Sequence, residues 1–250
     1  MTTIIEVCAG SYQDCIAAYK GGADRVELNS ALSVGGLTPS VSALKKVKKE
    51  TNLKVICMVR PRAAGFCYDA DDEMIMMEDA KLLLDNGADG IAFGFLNKDG
   101  SVKEDKTKQM IDLIHSYHKE AVFHRAFDVC PDACTAIETL IRLGADRILT
   151  SGQKAKAFEG KELIKDLQDK YGDKIELLAG SGVNASNAKE LMEYTGIHQV
   201  HSSCKSFNND PTTSNNGVSY AYLTGEHEMD YDIVEENLVK NLVNTVKQEL

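Results

Sequence analysis

The chain carries only four prolines in 250 residues, no apolar run long enough to cross a bilayer, and no excess of basic side chains. A helical span needs roughly 18 consecutive apolar residues, so a membrane-embedded protein is not expected. Lys and Arg number 28 against 38 Asp and Glu, a net charge of −10 that argues against nucleic acid or an anionic membrane as partner. A local basic pocket can still exist inside such a protein. Met1 to Glu6 has neither the basic nor the long apolar stretch of a signal peptide, so a cytoplasmic location is expected. The seven cysteines, an odd number without an export signal, read as free thiols rather than a disulfide framework. Glu6 to Ser11 also lacks the G-x-G-x-x-G turn of a dinucleotide-binding sheet. With 43% hydrophobic residues the chain can bury one large core, and a single domain over residues 1–250 is expected.

What is present is an internal repeat. Gly22-Ala23-Asp24-Arg25-Val26-Glu27-Leu28 recurs at Gly87 to Phe93, at Gly144 to Thr150 and more weakly at Gly196 to His201. Each copy reads as a helix end, a glycine able to take the left-handed cap, and a strand. Further strands fit Ile4 to Cys8, Lys54 to Arg60, Ala121 to Asp128 and Ile175 to Ala179, alternating with amphipathic stretches from Tyr12 to Lys20 through Ser186 to Tyr194 and a last one from Tyr231 to Leu250. Eight strand–helix units in this length predict an α/β fold, the parallel eight-stranded TIM barrel with outer helices. Residues 205–230 are polar and read as a loop over the barrel mouth.

Ligands bind at the carboxyl ends of barrel strands, and the charged residues of this chain gather there. Strand alternation turns Glu6 and Cys8 inward on the first strand and Glu27 and Asn29 inward on the second. Arg60 and Arg62 close the third strand, as a fork for a carboxylate or phosphate or as charge partners of Glu6 and Glu27. In Phe123-His124-Arg125-Ala126-Phe127-Asp128, His124 faces the lumen, whereas Arg125 needs a strand end or a bulge to do so. The reading makes Glu6, Glu27, His124, Asp128 and His201 candidates for acid/base chemistry, with Asp128 orienting His124 or Arg125. Arg60, Arg62, Arg125, Ser151, Gly180, Ser181, Gly182 and Ser203 are candidates for binding a small anion. The Gly180-Ser181-Gly182 turn before a helix capped by Ser186 matches the phosphate position of many barrels. No lysine projects from a strand end, which argues against imine chemistry. Cys8, Cys57 and Met58, of which only one parity of the third strand can face in, or Cys130 with Cys134 one helical turn apart, are the metal-ligand candidates, while Met74 to Met77 at helical spacing reads as core and His115 with His118 as solvated.

The stretches Glu6-Val7-Cys8, Gly21 to Leu28, Gly35 to Ser40, Met58 to Arg62, Phe123 to Asp128, Arg147 to Gly152 and His201-Ser202-Ser203 together resemble the CutC copper-homeostasis family. The resemblance implies a TIM barrel, a cytoplasmic location, self-association and a role in copper homeostasis. Asn29 stands where that family commonly has Cys, Gly65 where it has Asp, and Lys205 where it has Arg. The residues alone call for no cofactor; the resemblance implies Cu(I), but with the thiol at position 29 gone, tight Cu(I) binding at a preformed site is not expected. The alternative is a metal-independent acid/base enzyme acting on a phosphorylated or carboxylated small molecule at the mouth.

Overall fold

The computed structural model describes residues 3–247. β1 (Ile4–Ala9), β2 (Arg25–Leu28), β3 (Lys54–Met58), β4 (Gly90–Phe93), β5 (Glu120–Phe123), β6 (Arg147–Thr150), β7 (Glu176–Ala179) and β8 (Gln199–Ser202) pair in parallel in that order, and β8 returns to β1 to close a barrel. Around it lie α1 (Tyr12–Gly21), α2 (Val41–Glu50), α3 (Ala70–Asp85), α4 (Glu104–Ser116), α5 (Ala133–Leu143), α6 (Lys161–Tyr171), α7 (Ala188–Thr195) and α8 (Glu236–Lys247). This is the expected TIM barrel.

The repeat glycines act as anticipated. Gly22, Gly144 and Gly196 end α1, α5 and α7 at φ of 87°, 91° and 74°, a conformation that costs other residues a Cβ clash. The short turn that follows sends the chain straight into β2, β6 or β8.

Strand alternation divides the interior. Outward residues such as Ile5, Val7, Val26, Leu28, Val55, Cys57, Ile91, Phe93 and Phe123 meet the helices in the main core. In the lumen, Ile56, Met58, Ala92 and Val122 form a small apolar group of their own. Below it, Arg147 reaches Glu120 at 2.6 Å and Glu176 at 3.1 Å, and Arg25 joins Gln199 at 2.8 Å. The amino end of the barrel is thus sealed by paired charge, which leaves its carboxyl end as the place for a ligand.

Several boundaries differ from expectation. β5 stops at Phe123, and a 3-10 turn over Arg125–Val129 follows, so a strand end rather than a bulge re-aims Arg125. Residues 205–230 are not simply a loop: β9 (Lys205–Asn209) pairs antiparallel with β12 (Asp230–Val234), and between them lies a tight hairpin of β10 (Ser214–Asn215) and β11 (Val218–Ser219). The stretch from Tyr231 to Val234 is therefore strand, and the last helix begins at Glu236; its expected end at Leu250 lies outside the described residues. α7 starts at Ala188 behind Asn187, and Ser186 caps nothing because its hydroxyl turns to Asn184. Of the methionine run, only Met76 is fully buried; Met74 is exposed. His115 bonds Asp146 at the surface.

Candidate functional site

A cavity of about 540 Å³ opens at the carboxyl end of the strands. Cys8, Glu27 and His201 lie at its base, with Arg60, His124, Arg125, Asp128, Ser181, Gly182 and Ser203 around its wall. Asp232, Ile233 and Val234 of β12 complete one side. Asp14 fixes that side to the barrel, because its carboxylate accepts the Gly10 and Val234 amides at 3.0 and 2.8 Å.

Register explains the base. β1 pairs Glu6 with Arg25 and His201, and Cys8 with Glu27, so alternate inward residues of three strands meet. Glu6 is buried, ion-paired with Arg25 and bonded at 2.8 Å to Nδ1 of His201. Burial alone would raise its carboxyl, but the Arg25 guanidinium and His201 outweigh that and hold it well below the ordinary carboxylate range. Burial likewise opposes charge on His201, yet bonds to Cys8 and Glu6 and the nearby Glu27 raise it well above an ordinary imidazole. Glu27 is pushed up by burial and by Glu6, against the pull of His201 and Asn29. Burial also raises the Cys8 thiol. One donor atom each from Cys8, Glu27 and His201 lies within 4.8 Å of the others. With Nδ1 held by Glu6, the nitrogen left for that cluster is Nε2, and such a carboxylate behind an imidazole is how metal-binding histidines are oriented.

Not every expected residue joins this cluster. Cys57 points outward into the helix-packed core, where burial drives its thiol upward, so it is no partner for Cys8. Cys130 is buried and Cys134 exposed, and they do not converge. Asn29 donates to Glu27 Oε2 at 3.0 Å and towards Cys8 Sγ at 3.7 Å. Arg60 does not pair with Glu6 or Glu27; it holds the carbonyls of Val34 and Gly36 at 2.9 Å and Ala64 at 2.5 Å. Arg62 lies outside the cavity, bound to Asp72 at 2.8 Å.

Asp128 orients Arg125 and not His124. Its carboxylate takes Arg125 Nε at 2.8 Å, Thr150 Oγ1 at 2.6 Å, the Ser151 amide at 3.0 Å and the Gln153 amide at 3.3 Å. Ser151 is fully buried in this knot, its hydroxyl within 2.9 Å of Asp128 and 2.8 Å of Arg125, and so is not offered to a ligand. At the glycine turn, Gly180 packs against Leu149 and His201, while Ser181 (φ 80°) bonds the Ala155 carbonyl at 2.7 Å. Since α7 starts only at Ala188, no helix amino terminus follows this turn directly.

His124 accepts the Ala126 amide on Nδ1 at 3.1 Å, which leaves the proton on Nε2. Its Nε2–H has no partner among the described residues, and the ring is a donor rather than the expected base. Burial, with the Arg60 charge, pushes its pKa down to about 3. Because the folded value lies below the unfolded one near 6.5, the unfolded chain takes up the proton first. Stability is full above pH 6.5 and is lost as the pH falls towards 3. His201, shifted the other way, loses its contribution only as pH rises above 6.5. Urea unfolding between about pH 6.5 and 5 should therefore show a fall in stability that His124→Gln abolishes; an equal slope in both proteins would refute the assignment.

The CutC family model matches residues 3–206. The chain belongs to the CutC family. Among CutC relatives, a Treponema denticola protein is 48% identical over 216 residues, covering 86% of this chain and 87% of its own length. A Bacteroides fragilis CutC protein is 38% identical over 251 residues, covering 99% and 98%. A solved structure described as a candidate copper homeostasis protein CutC, from Streptococcus agalactiae, superposes with a TM-score of 0.76 at 31% identity, covering 81% of this chain and 99% of its own. The phosphoribosylanthranilate isomerase of Pyrococcus furiosus, at 15% identity and a TM-score of 0.57, shares the fold. The CutC match ends at residue 206, so the cavity wall from β12 lies beyond it.

Sequence reading missed three contributors. Arg25 was legible, since it shares the inward parity of Glu27. Asp14 and Phe66 were not: the first acts across 220 positions on Val234, and the second sits on an irregular loop whose path no periodicity fixes.

Proposed function

We infer that this protein serves copper homeostasis by holding a single metal ion at the base of the barrel mouth. The observation that carries the reading is the convergence of Cys8, Glu27 and His201, with Glu6 behind the imidazole. One sulfur, one nitrogen and one oxygen form a donor set of mixed softness, which fits Cu(II) or Zn(II) better than the thiol-rich sites that select Cu(I). Such an ion, when bound, would supply Lewis acidity or act as cargo; the chain's part is to present a thiolate, a carboxylate and a neutral Nε2. Those forms require Cys8 and Glu27 to release protons that burial now favours, and His201 to release the proton that Cys8, Glu6 and Glu27 help it keep, so affinity rises with pH. In the rival acid/base reading His124 offers no base through Nε2, because that nitrogen keeps its proton, and the role falls to a carboxylate such as Glu27.

A cytoplasmic location and self-association belong to the same reading, and seven cysteines that are all free support a reducing compartment. Among the described residues no helix is long and apolar enough to cross a membrane.

Competition titration of chelator-treated protein with Cu(II), Zn(II) and Cu(I) is the test. One equivalent of Cu(II) or Zn(II) is expected, bound on the order of 100-fold more weakly by Cys8→Ser and by His201→Ala. Unchanged binding in both variants, or no stoichiometric binding at all, would remove the metal centre from this cluster.

A further inference from the structure

Two donors on the cavity wall stand apart from the metal-ligand cluster. Nε2 of His124 and Nε of Arg60 have no hydrogen-bond partner among the described residues, although the two residues are only 3% and 5% exposed. Buried N–H groups are seldom left unmet, and two on one wall mark a place shaped for an acceptor. The other nitrogens of Arg60 go to backbone carbonyls, which carry no charge. Its neighbours at the mouth are balanced: Arg125 by Asp128, Lys205 by Asp232. The charge of Arg60 is therefore uncompensated at the cavity.

Phe66 covers both groups. Its ring lies 4.9 Å from the His124 ring and 5.2 Å from the Arg60 guanidinium carbon. It rides on the irregular segment 61–69, where Gly65 has open space around it. The buried Tyr68 hydroxyl adjoins the same guanidinium. Leu32, Met58 and Leu149 give the cavity an apolar lining nearby.

We propose that Arg60 and His124, beneath Phe66, form a seat for a small molecule bearing one carboxylate, with one oxygen taking the His124 Nε2–H and the other facing the Arg60 guanidinium. The remainder of the molecule lies against Phe66 and the apolar lining. Charge and donor count favour this class. One unbalanced cation and a neutral N–H match a planar, singly charged anion, whereas a phosphate monoester approaches two charges and asks for more donors. The seat lies on the β3 and β5 side of the mouth, away from the Gly180 to Gly182 turn, and it requires no metal.

The test uses the full chain, chelator-treated, in a buffer free of carboxylate and phosphate. The imidazole Nε2–H resonance of His124, assigned by its disappearance in His124→Phe, is followed by NMR during titration with acetate or benzoate. Sodium chloride at equal ionic strength and inorganic phosphate are the comparison arms. A saturable shift with either carboxylate, absent with chloride, is expected, and Arg60→Lys should weaken it about tenfold because a lysine has no Nε–H at that point of the side chain while its ammonium would have to hold the Val34, Gly36 and Ala64 carbonyls. The wild-type resonance decides the matter even if Arg60→Lys does not fold. No saturable shift, saturation by phosphate alone, or a shift that appears only after metal is added would overturn the proposal. Failure of the metal centre, read with Cys8→Ser, would leave this result untouched.

Discussion

Replacing Glu6 with Ala is expected to cost about 3–5 kcal/mol of folding stability, because it strands the buried Arg25 guanidinium without its counter-ion. Arg25 is 4% exposed, and its other side-chain bond goes to the neutral Gln199. His201 loses one of the partners that raise it above an ordinary imidazole and is left with Cys8 and Glu27. The exposed pair of Arg62 and Asp72 serves as the comparison: Arg62→Ala removes an ion pair that is screened by solvent and should cost no more than about 1 kcal/mol. Urea denaturation of the two variants beside the parent chain distinguishes a buried keystone from a surface pair. Equal losses would mean that the lumen charges relax or hydrate far more than their burial implies. Glu6→Gln, which keeps the shape, should retain the fold better while lowering metal affinity by about 10–100-fold, as loss of an orienting carboxylate does.

Asp128→Ala should be nearly as damaging, at about 3–5 kcal/mol, since a carboxylate that collects several donors leaves each of them unmet when it goes. Thr150 Oγ1 and the amides of Ser151 and Gln153 converge on it from the turn after β6, and Arg125 adds its Nε from the other side. These bonds share one acceptor, so their losses do not add, and Asp128→Asn should recover part of the stability while losing the charge-assisted bond to Arg125. The local consequence is measurable by hydrogen exchange: the Ser151 and Gln153 amides should lose protection ahead of the barrel strands. Protection unchanged at those two amides would show that the turn is held by its own backbone contacts.

Much of this was legible beforehand. Inward parity turned Glu6, Cys8, Glu27, His124 and His201 into the barrel, and all but Glu6, which lies buried behind His201, line the cavity, because a parallel barrel strand has only two faces and the helices claim the apolar one. Where the reading strayed, a strand had already ended or bonds outside the strand intervened. Arg62 lies four residues past β3 and turns to Asp72. Ser151 follows β6 but is consumed by Asp128. Only one of Cys57 and Met58 could face inward, and Met58 does, on the parity of Ile56.

By itself the sequence determined the closed barrel, its repeat and the gathering of charge at one end, because glycine caps, alternation and helix length are local properties that survive summation along a chain. Which charges pair was decided only in three dimensions. The choice of Arg25 rather than Arg60 for Glu6 depends on register between β1 and β2, and the tautomer of His124 depends on a backbone amide of the turn after β5. Pairing energies in a buried lumen vary steeply with distance and solvent access, and neither quantity is encoded in the identity of the residues alone.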